Sequence, residues 1–252
     1  MNYFPVCQFV HIVKLLPLGN ITLTINILPQ MEFTAIIIGA TGLTGNILLS
    51  QLLKDKRYAK VITLSRKRID NKNPKHYNHL ADLFDPSTYK EFLKGDHLFI
   101  CTGTTKAKTP NKEEYYKIEH DLPLGVATVA KENGVRKIIA ISALGANPDS
   151  NISYNRGKGK MERDLEALGF EESYLVQPGL IGGKRNEKRA FESAWKKFQK
   201  LIDPLLSGAL KKYRTIEPET IASAMIYTAV NGYDKNRIES DELKKIADRY
   251  EV

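Results

Sequence analysis

The sequence predicts an α/β domain built on a doubly wound parallel sheet, and three observations carry that prediction. The first is the stretch Phe33 to Leu53, FTAIIIGATGLTGNILLSQLL, where an apolar run passes through a glycine turn into a helical repeat. Short apolar, largely β-branched runs then recur along the chain, most of them separated by segments long enough for crossover helices. Finally, 252 residues suit one such domain with a small appendage.

Phe33 to Ile38 reads as a buried strand, and Leu43, Ile47, Leu48 and Leu52 form the apolar side of the helix after it. Between them Gly39, Gly42 and Gly45 stand as GxxGxxG, a pattern that 17 glycines in 252 residues produce by chance only about 0.08 times. One glycine permits a tight turn, one lets backbone approach a pyrophosphate, and one lets helix pack close on strand. The unpaired N–H groups and positive dipole end of the helix point at the same place. Thr41, Leu43 and Thr44 join the three glycines as expected contacts of a dinucleotide.

Lys60 to Leu64 is the second strand, and it runs into Ser65-Arg66-Lys67-Arg68. An enzyme using NAD usually presents an acid about twenty residues past its glycines, to hold the ribose 2′-hydroxyl. Here cations replace it. The planar fork of Arg66, with the Ser65 hydroxyl beside it, suits a 2′-phosphate, so NADP(H) is expected over NAD(H). The plainer reading is a solvated basic loop ahead of the turn at Asn71 to Pro74.

His76 to Ala81 makes a third strand ending at Asp82-Leu83, the place of an adenine in a doubly wound sheet, although Asp82 also suits a turn. Ser87 to Leu93 is expected as a short helix capped by Ser87 or Asp85. His97 to Cys101 is the fourth strand, and its turn, Thr102-Gly103-Thr104-Thr105, lies on the sheet edge that would line the cofactor crevice. Asn111 to Asn133 has the length of a crossover helix, broken at Pro123 and ended by Gly134. His120, beside Asp121 on that helix, reads as a packed or surface residue.

Val135 to Ser142 is the fifth strand, and twelve residues beyond its last serine Tyr154 begins YNRGK. Lys158 therefore follows Tyr154 by one helical turn on the same face. Such a pair alone means little, but this one opens the helix after a strand that ends in serine. A tyrosine with a pKa of about 10 is a poor acid-base group at neutral pH, and a nearby ammonium favours its charged form. Ser142 can hold a carbonyl or hydroxyl oxygen while Tyr154 passes the proton. Lys158 can also hold the nicotinamide ribose. Gly157 and Gly159 flank that lysine and weaken the helix by about 1 kcal/mol each relative to Ala.

Glu172 to Val176 is the sixth strand, and Pro178-Gly179 turns toward the nicotinamide end of the crevice. Between Lys184 and Arg214 there are ten Lys or Arg against three acids, a large share of the net charge of +9. Phe191, Trp195, Phe198 and Ile202 give this segment one apolar stripe, suiting a substrate lid, a homodimer contact or a membrane-surface element in that order. A basic excess invites nucleic acid, anionic membrane or phosphorylated ligands, but a solvated helix face explains this one more simply. A last helix, Glu217 to Val230, offers Ile221, Met225 and Tyr227 for packing. The substrate cap is thus built mainly from 184–216, which is small for a nucleotide-sugar site.

Residues 1–30 differ from the rest. Lys14 is their only charge, and Pro5, Pro17 and Pro29 interrupt them, so they read as a leader or a mis-assigned start before a core of 31–252. No stable membrane insertion is expected from them, since Pro17, Gly19, Asn20 and Asn26 break the apolar run. The two cysteines, Cys7 and Cys101, offer neither a disulfide framework nor a metal site, and a reducing cytoplasm is the expected home.

GATGLTG, LSR, CTGTT, SALGANP, YNRGKGKMERDLEALGF and QPGLIGG together resemble the atypical short-chain dehydrogenase/reductases, within them the Tat-interacting protein type of NAD(P)H-binding oxidoreductase. The resemblance runs from about Phe33 to about Tyr233. It implies a Rossmann fold, Gly39, Gly42 and Gly45 at the pyrophosphate, Arg66 at the 2′-phosphate, and Ser142, Tyr154 and Lys158 as the catalytic trio. Three functions are compatible with these residues. The leading one is reduction or oxidation of a small carbonyl or alcohol. The others are an NADPH-binding regulator or assembly protein and a nucleotide-sugar epimerase or dehydratase.

Overall fold

The computed structural model describes residues 32–182, 206 and 208–251. Alternate side chains of β1 (Phe33–Ile38) point to opposite faces, so Ala35 and Ile37 enter one core while Ile36 and Ile38 enter the other. All four are shut off from solvent, as a parallel strand covered on both faces requires. β2 (Tyr58–Ser65), β3 (His76–Leu80), β4 (His97–Ile100), β5 (Lys137–Ile141), β6 (Glu172–Gln177) and β7 (Arg237–Glu239) pair with it and with one another. Among the described residues they form one parallel seven-stranded sheet in the order β3-β2-β1-β4-β5-β6-β7. The doubly wound expectation holds.

One face is covered by α1 (Leu43–Lys54) together with two C-terminal helices, Pro218–Asn231 and Ser240–Ala247. Leu48, Leu52, Ile221, Met225, Leu243 and Ile246 fill that core. After α2 (Lys112–Tyr116), which buries no side chain, the opposite face is covered by α3 (Leu122–Glu132) and α4 (Ser153–Ala167), through Val126, Ala130, Met161 and Leu165. The C-terminal pair is numbered α5 and α6. Each fully buried aliphatic side chain contributes about 1.5–3 kcal/mol, so two such cores on one sheet explain why the crevice between their loops is held firmly.

The structure departs from the sequence reading in four elements. The crossover at Asn111 to Asn133 is two helices joined by a π turn, Lys117–Asp121. Proline has no N–H, and its ring clashes with the carbonyl four residues earlier, here that of Glu119, so the backbone opens ahead of Pro123. Ser87 to Leu93 is not a helix but two 3-10 turns, Pro86–Thr88 and Lys90–Phe92, the first capped by Asp85, whose carboxylate accepts the Ser87 N–H at 3.0 Å. Seven residues are too few to offset helix nucleation. β7 and α6 were not anticipated, because β7 spans three residues of which only Ile238 is buried.

The apolar stripe Phe191 to Ile202, most of the expected cap and residues 1–30 lie outside the described residues. Where the chain is described again it returns beside its point of departure. Gly182 N–H donates to the Ile216 carbonyl, and Ile216 N–H to the Leu180 carbonyl, both at 2.9 Å.

Candidate dinucleotide and active site

The sheet order reverses between β1 and β4, which pair side by side, so the loops after those strands bound a crevice at their carboxyl ends. Gly39 begins one loop with φ +81°, and a Cβ there would lie 2.5 Å from the Cys101 carbonyl, so no other residue fits. A Cβ on Gly45 would be driven into the Gly39 carbonyl, which lets α1 sit directly on the turn. Gly42 is exposed, and its N–H donates to the Gly39 carbonyl at 3.0 Å. Thr41 is exposed beside it, Leu43 is half-buried, and Thr44 is buried. No side chain caps the start of α1, so its first N–H groups remain for an anion.

Thr102, Gly103 and Thr104 form the facing wall. Among the described residues the Thr102 hydroxyl is buried with no protein partner. The Thr104 N–H donates to the Glu119 carboxylate, and its hydroxyl meets that of Thr109 at 2.8 Å. A cradle that a single Cβ would fill, beside an unpartnered buried hydroxyl, fits the pyrophosphate and ribose of a dinucleotide.

At the end of β2 the two residues expected at a 2′-phosphate part company. Arg66 is exposed, whereas Ser65 is buried, donates to the Lys67 carbonyl at 2.7 Å and accepts from Asn78 at 2.8 Å. Leu83 is half-buried. Asp82 shapes the turn, since its carboxylate accepts the Phe84 N–H at 3.0 Å and its own N–H donates to Thr88.

The Ser142, Tyr154 and Lys158 positions come from the end of β5 and the first turns of α4. Lys158 is almost wholly buried, with its ammonium 2.8 Å from the Glu119 carboxylate and 3.4 Å from the Ile141 carbonyl. Reading the chain for a Tyr/Lys couple missed Glu119, the carboxylate with which the buried ammonium is paired. Tyr154 is exposed and lines a cleft with Glu119 and Tyr115. The Tyr115 phenol is pushed up to about 12, chiefly by burial, with Glu119 and Tyr154 adding to it.

Ser142 is buried against a second carboxylate, Glu162, one turn beyond Lys158. Burial raises the Glu162 pKa, while Ser142, the Gln177 amide at 2.8 Å and Arg237 at 3.3 Å oppose the rise. Its i, i+4 spacing from Lys158 is the one sequence signal that points to it. Pro178 is buried, and its carbonyl accepts the Leu144 N–H at 3.0 Å, tying the loops after β5 and β6 together. His120 is packed as expected, with one ring nitrogen 2.8 Å from Asp121 and the other 2.8 Å from Asp164.

Fold and crevice define a Rossmann-like dinucleotide-binding domain. The chain belongs to the NAD(P)H-binding family, whose model matches residues 39–194. It is similar to the protein named fmp52, mitochondrial, of Aspergillus fumigatus, with 32% identity over 79% of this chain and 87% of that one. It is also similar to FMP52, mitochondrial, of Eremothecium gossypii, with 36% identity over 60% of this chain and 67% of that one. Among solved structures, a UDP-N-acetylglucosamine 4-epimerase from Methanobrevibacter ruminantium shares the fold at TM-score 0.60 and 17% identity, covering 85% of this chain and 80% of its own.

These relatives correct the cytoplasmic expectation, since both carry a mitochondrial designation. Few cysteines indicate a reducing compartment without saying which one.

Proposed function

We propose that this protein binds NADP(H) and oxidises or reduces a small alcohol or carbonyl compound. The observation that carries the reading is the Gly39 to Gly45 cradle, where a Cβ at Gly39 would collide with the Cys101 backbone after β4 and one at Gly45 with the Gly39 carbonyl. When bound, the nicotinamide supplies or accepts the hydride. Main-chain amides at the start of α1 would hold the pyrophosphate, Thr102 would meet the ribose side, and exposed Arg66 would receive the 2′-phosphate. Tyr154 would exchange the substrate proton with Ser142 as the oxygen-binding group, and Lys158, held by Glu119, would supply positive charge beneath them. The motif resemblance to the Tat-interacting protein type and the mitochondrial designation of the Fmp52 relatives support a related protein acting at mitochondria.

One observation favours a second reading, an NADPH-dependent regulator with little turnover. Lys158 is already held by a buried carboxylate, which leaves less of the trio for substrate.

Thermal shifts with NADPH, NADH, NADP and NAD test cofactor binding. At a hundred times its dissociation constant a ligand adds about 2.7 kcal/mol of stability. NADPH is expected to stabilise the protein more than NADH, and Arg66→Ala to abolish the difference. Equal shifts in the wild type would remove Arg66 from its role. With a carbonyl panel, Tyr154→Phe should lower turnover by at least a hundredfold without moving the NADPH shift. Finding no turnover in the wild type, with an intact NADPH shift, would favour the regulator.

A further inference from the structure

Beside Tyr154 the surface opens into a cleft of about 630 Å³, between the 106–116 segment and the first turns of α4. That volume is within the range of small-molecule sites, about 300–1,000 Å³. Four cations line it. Lys106 and Lys112 stand on one wall, with Arg156 and Lys160 on the other. The single acid in the lining, Glu119, is paired with Lys158 at 2.8 Å, so it does not offset them.

Arg156 and Lys160 are four residues apart on one helix, a spacing at which like charges repel. Both are half-buried rather than splayed into solvent. The Arg156 guanidinium is oriented by the Ser150 carbonyl at 2.6 Å, and Lys106 reaches across to the Ser153 hydroxyl at 3.3 Å. Tyr115 and Tyr116 add flat apolar surface between the cations. A concave wall lined by one sign of charge focuses its field on whatever enters.

We infer that this cleft is the substrate's anion subsite, and that the substrate is a planar, unsaturated carbonyl compound bearing a carboxylate or phosphate. The inference rests on the reading of Tyr154 as the group that exchanges the substrate proton. The tyrosine faces take the flat body, Arg156 and Lys160 take the anion with Lys112 opposite, and the carbonyl is left toward Tyr154. Charge selects the substrate, because a neutral analogue of the same shape leaves the converging cations unscreened.

The test uses the full chain saturated with NADP. Calorimetry would compare 4-formylbenzoate, 4-formylphenyl phosphate and the neutral 4-(hydroxymethyl)benzaldehyde. At least one anionic probe is expected to bind tenfold or more tightly than the neutral one, and the tighter of the two identifies the anion. The double variant Lys112→Gln/Lys160→Gln should bring the preference below threefold while its NADPH thermal shift stays at the wild-type value, which also reports that it folds. Equal binding of charged and neutral probes, no binding of any, or a preference that survives the double variant would each overturn the subsite. An anion preference in a protein that NADPH fails to stabilise would instead sink the redox reading and leave the subsite standing.

Discussion

A buried ammonium needs a counter-charge, and Lys158 finds it on Glu119 rather than in solvent. Removing one partner of a buried pair leaves the other charged and desolvated, which costs about 3–5 kcal/mol. Glu119→Gln keeps an acceptor for the Thr104 N–H but strips the charge, so it should destabilise the protein by roughly that amount in urea unfolding. Glu119→Gln combined with Lys158→Met should recover most of the loss, because the stranded charge is gone too. A loss under about 1 kcal/mol in the single variant would mean the pair is solvated and has little hold on the site.

On α4 the two glycines that flank Lys158 have opposite roles. A Cβ on Gly159 would collide with the Asn147–Pro148 backbone, so this glycine lets the 143–150 loop lie directly on the helix beside the site. At Gly157 nothing lies within 4 Å of an added Cβ. Gly157→Ala should therefore stabilise the protein by about 0.5–1 kcal/mol through helix propensity. Gly159→Ala should destabilise it by at least about 2 kcal/mol, since backbone must move. Thermal melts of the two variants check the pair, and shifts of the same sign would contradict the packing described. The π turn ahead of Pro123 works at the same scale, setting Glu119 opposite Lys158.

Across the whole sheet, the base of β4 carries an acid-sensitive group. His97 is buried, its Nδ1 lies 2.8 Å from the Tyr58 hydroxyl, and burial with Lys137 and Arg136 nearby lowers its pKa from 6.5 to about 3. Below pH 6.5 the unfolded chain takes up a proton that the folded protein refuses, so stability is lost as pH falls from 6.5 toward 3. At pH 4.5 this group alone accounts for about 2–3 kcal/mol of loss relative to pH 7. His97→Gln keeps a partner for Tyr58, and its urea stability should fall correspondingly less between those two pH values. Identical pH dependence in variant and wild type would show that His97 takes up its proton without unfolding.

The order of the strands through β6, the helix after the glycine turn and the crevice beside β1 were legible in the chain, because apolar periodicity and backbone sterics act over a few residues. The Ser65 and Arg66 pair was legible as chemistry, but not which of the two faces solvent. What only tertiary structure decided is long-range electrostatics and packing. Glu119 meets Lys158 from 39 residues away, and Arg237 reaches Glu162 from a three-residue strand too short to announce itself. Burial makes Lys158, Glu119 and Glu162 each draw the nearest opposite charge in space, and no local pattern encodes which residue that will be.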